Sequence, residues 1–230
     1  MAVEHYEGLA YARKSGELLY RESHWVQDKG QRLVLYRCPD GDAFARKHVA
    51  SGDAAPDFEL VDGRDGYREG VRTRDGVRQV YTRASSASVE RSKRLPAQDG
   101  QVIDAGFDAH VRQQWEAMAE PGSRRVRFLV PSRLESMDFR IAPLASDSTT
   151  RRYRLALDAW YAGALPNITV TYANKDKRLV RFEGIGNIRD KTGDYPAVRI
   201  EFPAHTRSLS SLAEVTNAAR TPLAKGCSNS

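Results

Sequence analysis

The sequence has little cysteine and lacks any long apolar run. Only Cys38 and Cys227 occur among the 230 residues, so neither a thiolate zinc site nor a scaffold dense in disulfides is expected. One disulfide remains possible, because Cys38 falls in a predicted strand and Cys227 in the C-terminal tail. No stretch of eighteen apolar residues is present, so no membrane-spanning helix is expected.

Concentrated charge of one sign is also missing. The chain has 36 Lys and Arg against 30 Asp and Glu, a net charge of +6, and the basic residues are spread singly along predicted strands. Only two groups come close to a cluster, namely Arg124, Arg125 and Arg127, and Arg151, Arg152 and Arg154. Each alternates with apolar residues, which is typical of the solvated outer face of a strand. Nucleic acid is therefore not expected as a partner.

Familiar catalytic and metal-binding motifs are lacking. The five histidines show no HExxH spacing, no GxSxG is present, and the segment EGIGN is not a GxGxxG motif. Glu22 and His24 share one face of a predicted strand and could hold a metal or form an acid–base pair, but we expect a solvated strand face there. His110 is expected to be a hydrogen-bonded histidine of the core or of a cavity rim. We assign no catalytic, metal or cofactor residue and expect no cofactor.

Short strands separated by turn residues dominate the region from residue 6 to residue 94. The clearest hairpin signals are Pro39-Asp40-Gly41 and Arg74-Asp75-Gly76. Strands joined by such short turns lie antiparallel and adjacent, so this half is predicted to be an up-and-down meander. Further alternating segments between residues 152 and 202 are expected to extend the same sheet. Between them, residues 159–166, with Trp160 and Tyr161, form an apolar connection.

One helix is predicted in the middle of the chain, over about residues 104–119. Phe107, Val111, Trp115 and Met118 recur at helical spacing, and Asp104 or Asp108 could cap its start. After the helix, the apolar residues recur at every second position. They alternate with charged residues, which predicts a hairpin over residues 125–142.

These elements predict a mainly β protein, a single curved antiparallel meander forming a half-barrel over that one central helix. Residues 1–207 would form one domain. Residues 208–230 would add a short helix and a frayed tail, because Ser211 and Glu214 have the spacing of a capping box.

Four segments resemble a proteobacterial envelope family of the LolA/LolB-like lipoprotein-carrier half-barrel superfamily. They are DFELVDGRDGYREGV (57–71), VIDAGFDAHVRQQWEAM (102–118), RFLVPSRLESMDFRI (127–141) and RLVRFEGIGNIRD (178–190). The resemblance implies export by a signal peptide that the given chain does not show, a periplasmic or envelope location, and a hydrophobic ligand. It brings no catalytic motif and no assigned lipid-binding residue.

Our first functional expectation is therefore a non-enzymatic carrier of a lipid or another hydrophobic small molecule, peripheral to the membrane at most. Its cavity would be lined by residues of the helix and of the hairpin, namely Phe107, Val111, Trp115, Met118, Phe128, Met137, Phe139 and Ile141. The second is an envelope assembly module with a filled core, which binds another envelope protein through a strand edge or basic rim. The third is a hydrolase or isomerase with a site built from distant residues. A large apolar cavity favours the first, a packed interior the second, and a cleft of perturbed titratable groups the third.

Overall fold

The structure, a computed structural model, describes residues 2–96, 100–158 and 167–227. Within these ranges sixteen strands belong to one sheet. The first eight are β1 (Val3–Ala12), β2 (Leu18–Val26), β3 (Arg32–Arg37), β4 (Ala43–Val49), β5 (Phe58–Asp62), β6 (Arg68–Arg74), β7 (Val77–Arg83) and β8 (Arg91–Arg94). The others are β9 (Gln101–Ile103), β10 (Arg124–Val130), β11 (Glu135–Leu144), β12 (Thr150–Leu157), β13 (Ile168–Ala173), β14 (Leu179–Ile185), β15 (Ala197–Glu201) and β16 (Ser208–Ser210). The prediction of a mainly β fold is confirmed.

The N-terminal half is the predicted meander. Strands β1 to β8 lie side by side in chain order and each neighbouring pair is antiparallel. Both predicted hairpins are present. Gly41 has φ 110° in the turn between β3 and β4. Asp75 and Gly76 have φ 51° and 71° between β6 and β7, and two successive positive φ values are what a type I′ hairpin turn requires.

The second half of the chain extends the same sheet but does not continue the meander. From β8 the chain passes to β9 at the opposite end of the strand order, and successive strands then return until β15 pairs with β1. β9 is parallel to β10, because the connection between them is a crossover containing the helical region. The predicted hairpin over 125–142 is confirmed, since β10 and β11 pair antiparallel from Arg124–Ile141 to Val130–Glu135.

The helical region is shorter than predicted. The α-helix, α1, covers only Phe107–Gln113, with 3-10 turns at Asp104–Gly106 and Ala117–Ala119. Its N-cap is Gly106, which makes no side-chain cap hydrogen bond. The predicted cap at Asp108 is therefore wrong, because Asp108 is the second residue of the helix; the side chain of Asp104 lies outside the described part of the structure. A Cβ at residue 106 would overlap the carbonyls of Asp53 and Ala54. Close approach to that loop therefore excludes a capping side chain at this position.

A second helix, α2 (Leu212–Arg220), confirms the predicted capping box. Ser211 Oγ accepts from the Glu214 N–H at 3.2 Å, and Glu214 Oε2 accepts from the Ser211 N–H at 2.8 Å. Beyond α2 the tail is not frayed up to Cys227, because Cys227 forms a disulfide with Cys38. The Ala224 N–H also donates to the Ala43 carbonyl at 2.7 Å. The tail is thus attached to the hairpin of β3 and β4.

Buried apolar side chains form three clusters. The first, which we call the main cluster, includes Tyr36, Phe44, Leu60, Val80, Leu95, Leu129 and Leu134. The second, the helix cluster, joins Val111, Trp115 and Met118 to Val126, Ile141, Tyr153, Leu155, Val170 and Tyr172 of the C-terminal strands. The third packs Val215 and Ala218 of α2 against Val3, Trp25, Leu33 and Leu35. The predicted apolar connection at 159–166 lies outside the described residues.

Candidate functional site: a polar cavity beside the helix

A cavity of about 100 Å³ lies between the first three strands and α1. Its walls mix charged and apolar groups. The lining residues include Glu4, Tyr6, His24, Arg32, Asp53, Ala105, Asp108, Ala109, Arg112, Arg178, Leu179, Phe202 and Arg207. Residues far apart in the chain meet here because β1 lies at the middle of the strand order. Strands β2 to β8 lie on one side of it and strands β9 to β15 on the other.

The floor of the cavity is a pair of stacked rings. Tyr6 and His24 are cross-strand partners in β1 and β2, and their ring centroids are 4.6 Å apart with an interplanar angle of 8°. Phe202 packs edge-on against both rings, at 6.1 Å from Tyr6 and 5.8 Å from His24. This packing requires Gly8, because a Cβ there would lie 2.7 Å from the Phe202 ring.

His24 is paired with a buried carboxylate. Its Nε2 lies 2.8 Å from Glu22 Oε2, and the two residues are only 6% and 5% exposed. The expected solvated strand face at these positions is therefore wrong. That face is turned into the protein because the Phe202 ring packs over it, edge-on to His24 and to its stacked partner Tyr6. Burial lowers the pKa of His24, an effect that the hydrogen bond and the charge of Glu22 only partly oppose.

A half-buried arginine closes the side of the cavity nearest the helix. Arg32 donates from a terminal guanidinium nitrogen to the Ala105 carbonyl at 2.8 Å, just before α1 begins. Its positive charge also acts on the nearby Tyr6 hydroxyl, whose pKa it lowers. Burial nevertheless raises the pKa of the Tyr6 hydroxyl, against the opposing effect of Arg32. Tyr6 is therefore a neutral hydrogen-bonding group at physiological pH.

Ion pairs surround the cavity mouth. The Glu4 carboxylate lies 3.1 Å from Arg178 and 2.9 Å from Arg207, and the Arg207 guanidinium lies over the Tyr6 ring at 4.7 Å. On the helix, Arg112 pairs with Asp108 at 2.7 Å. Four arginines and three carboxylates thus line the cavity, so a bound group would meet hydrogen-bond donors that are mostly positively charged.

Two polar atoms of the lining residues lack partners within the described part of the chain. They are His24 Nδ1 and Asp108 Oδ1, and both are buried. An unsatisfied buried polar atom costs about 1–3 kcal/mol, and such atoms in a native protein mark places where a water or a ligand can complete the hydrogen bonding. Among the described residues, no group of three or more His, Cys, Asp or Glu could hold a metal ion.

Seven of the eight residues predicted to line a hydrophobic cavity belong to the helix cluster or pack against it. The eighth, Met137, lies opposite Phe128 in the β10–β11 pair. Val111, Trp115, Met118 and Ile141 are buried, and Phe107, Phe128, Met137 and Phe139 are half-buried. The phenyl ring of Phe128 contacts those of Phe107 and Phe139, with centroids 6.0 and 5.6 Å apart. None of the eight lines the polar cavity. Their role in ligand binding stays a prediction.

The basic groups lie on the surface as expected, except Arg151, whose guanidinium lies 4.5 Å above the Trp115 ring and donates to the Trp115 carbonyl. His110 is half-buried on α1, and burial lowers its pKa. Trp25 is a core residue as expected. Trp160 and Tyr161 lie outside the described residues.

Sequence reasoning missed Tyr6, Arg32, Asp108 and Arg207 as parts of one site. The sequence contained one signal for this site. Tyr6 and Gly8 are two positions apart in one strand, and Glu22 and His24 are two positions apart in the next, so each pair shares one strand face. No local pattern shows that this face is the buried one. Burial there depends on Phe202, which is 178 residues further along the chain than His24.

None of the described helices is long and apolar enough to span a membrane. Comparisons with models of protein families, with curated proteins and with solved structures found no match.

Proposed function

We propose that this protein is a non-enzymatic binding protein of the bacterial cell envelope that carries an amphipathic, lipid-like molecule. The head group would bind in the polar cavity, beside Tyr6, Arg32 and Arg207. The apolar part would lie between α1 and the sheet, along the residues 107–118 and 128–141 named above. In this proposal the sheet curves as a half-barrel over α1.

The observation that supports this proposal most directly is the continuity of the two regions. Leu179 lines the polar cavity and also packs against the helix cluster, which contains Trp115. On the other side, Ala109 of α1 lines the cavity while Val111, two residues further along the helix, is in the helix cluster. A ligand with a polar head and an apolar tail would meet matching surfaces on the two sides of one short helix.

Contacts between the two ends of the strand order support the curved shape. Leu95, which follows β8, belongs to the same main cluster as Leu129 of β10 and Leu134, which immediately precedes β11. These residues lie at opposite ends of a very long strand order. A flat sheet would keep them far apart, so a strong curvature of the sheet is the simplest way to bring them into one cluster.

The location in the envelope is supported by the disulfide between Cys38 and Cys227. Disulfides persist in oxidising compartments such as the bacterial periplasm and are rare in the cytosol.

Entry of an apolar chain would require α1 to move. The helix is only seven residues long and its N-cap makes no side-chain hydrogen bond, so it has little stability of its own.

The proposal is tested by measuring binding of a fluorescent fatty acid, together with native mass spectrometry of protein purified without detergent. We expect saturable binding, or a copurifying lipid seen as added mass. Leu179→Glu should weaken fatty-acid binding at least about tenfold, because it places a carboxylate in the apolar wall. Phe139→Asp should do the same while the far-UV circular dichroism remains that of a β protein.

The matched control is Val180→Glu, the adjacent residue of β14, whose side chain points to the other face and is 37% exposed. This variant should bind the probe to within about twofold of the original protein. If the original protein shows neither saturable uptake nor copurifying lipid, the carrier proposal is wrong. The envelope assembly module with a filled core would then be the better account, favoured by the exposed basic strand β8.

A further inference from the structure

The sheet has one exposed end and one covered end. β8 is the last strand at one end and pairs only with β7 among the described strands. All four of its residues, Arg91 to Arg94, are exposed. At the other end all three residues of β9 are buried. An exposed edge strand presents unpaired backbone groups that another extended chain can pair with.

The hydrogen-bond pattern tells which backbone groups of β8 point outward. The Leu95 N–H donates to the Arg78 carbonyl at 2.9 Å, so Leu95 faces β7. In an antiparallel pair the residues alternate between facing the partner and facing away. Lys93 and Arg91 therefore face β7, while the N–H and C=O groups of Ser92 and Arg94 point away from the sheet.

A groove lies along this edge. It has a volume of about 420 Å³ and is lined by Arg91, Ser92, Lys93, Arg133, Leu134 and Glu135. The last three residues come from the turn between β10 and β11 and from the start of β11. This volume falls within the range of roughly 300–1,000 Å³ that is typical of ligand sites, and it is bounded by an unpaired strand on one side.

The groove is positively charged. Arg91, Lys93, Arg94 and Arg133 form no ion pair with any residue in the described part of the chain. Glu135 is the acidic residue in the lining. The other nearby carboxylate, Glu90, is paired with Arg72 at 2.6 Å. A second copy of β8 would place basic side chains opposite basic side chains, which is destabilising. An acidic segment has the complementary charge.

We propose that the edge of β8 is a docking site for an extended acidic segment of another protein, which adds to the sheet as a further strand. Backbone groups of Ser92 and Arg94 pair with the incoming strand, and the basic side chains bind its carboxylates. This mode of recognition uses main-chain hydrogen bonds for affinity and side-chain contacts for specificity. It is independent of the proposed carrier function, because β8 does not line the polar cavity.

The probe for this site is a fluorescein-labelled octapeptide of alternating Glu and Val, with both ends blocked, added to the full chain. Fluorescence anisotropy at low salt should show saturable binding that weakens as salt is raised. Ser92→Pro removes an outward-pointing N–H without removing a hydrogen bond to β7, and proline is tolerated at such edge positions. We expect this variant to bind the peptide at least about tenfold more weakly while the melting temperature changes little.

Charge is tested separately with the triple variant Arg91→Glu, Lys93→Glu, Arg94→Glu, which should also weaken binding at least about tenfold. The matched control reverses three other exposed arginines, Arg127, Arg152 and Arg154, and so makes the same change in net charge. The control should bind to within about twofold of the original protein. An equal loss in both triple variants would show non-specific attraction and overturn the proposal.

Two further results would also overturn it. One is the absence of saturable peptide binding to the original protein. The other is a concentration-dependent dimer that the β8 charge reversals abolish, since a second copy would then be the occupant. If Ser92→Pro fails to fold, the same peptide with N-methyl groups at alternate residues tests the backbone hydrogen bonds on the original protein. Undiminished binding of that peptide would contradict strand addition.

Discussion

Tyr6 and His24 lie opposite each other on adjacent strands, and their rings stack almost parallel with 4.6 Å between centroids. The contact places a neutral phenol and a buried imidazole at the base of a cavity whose mouth is surrounded by ion pairs. His24 is held in this position by the Glu22 carboxylate, 2.8 Å from its Nε2. The protonation state of His24 therefore bears directly on how the rings pack at the base of the candidate site.

The first prediction concerns the pH dependence of stability. Because burial lowers the pKa of His24 in the folded protein, the unfolded chain, with a histidine pKa of about 6.5, binds the proton more readily. Stability should therefore fall as the pH decreases below about 6.5, and be fully present above it. Urea denaturation between pH 5 and 8 measures this slope.

His24→Gln should reduce that slope. The pKa values of His48 and His110 are also lowered by burial, but these histidines are less buried than His24. His48→Gln and His110→Gln should therefore each remove a smaller part of the slope. An unchanged slope in His24→Gln would mean that this histidine does not control the acid sensitivity.

A second prediction concerns Trp115, which is 4% exposed, packs edge-on against Tyr172, and has Arg151 above its ring. Trp115→Ala should lower the free energy of unfolding by about 3–5 kcal/mol, because it leaves a large cavity in the helix cluster. Chemical denaturation measures the change. The control is the exposed neighbour Gln114→Ala, expected to change stability by less than about 0.5 kcal/mol. A midpoint that hardly moves in Trp115→Ala would exclude the ring as a core filler.

The disulfide supplies a third prediction. Cys38 and Cys227 are 189 positions apart in the sequence, and closing so long a loop contributes up to about 5 kcal/mol in the loop-entropy model. Replacing both cysteines with serine should therefore lower the free energy of unfolding by a few kcal/mol. It should also make the segment after α2 more sensitive to proteolysis. Two free thiols in natively exported, unreduced protein would contradict this bond.

A fourth prediction concerns the start of α2. Ser211→Ala removes the side chain that accepts from the Glu214 N–H, and loss of such a cap costs about 1 kcal/mol. Hydrogen exchange should increase in α2 and leave β3 and β4 nearly unchanged. Thr216→Ala, at an exposed position of the same helix, is the control. Equal protection of α2 in Ser211→Ala and in the original protein would show that the cap does not limit local opening.

Local sequence patterns determined much of the secondary structure and little of the site. Gly41 and the Asp75-Gly76 pair specify their hairpins because the turns need positive φ, and Ser211 with Glu214 specifies the start of α2. Period-two alternation identified the hairpin of β10 and β11. In each case the determining interaction spans only a few residues, so the pattern is complete in the local sequence.

Tertiary structure decided what these local patterns leave open. The close approach of Gly106 to the loop at residues 53–54 excludes a capping side chain at the start of α1. The parallel pairing of β9 follows from its crossover to β10. The polar cavity formed because β15 pairs with β1, which brings Phe202 and Arg207 over Tyr6 and His24. Alternation along a strand defines two faces but does not say which is buried, because burial is decided by residues that are distant in the chain.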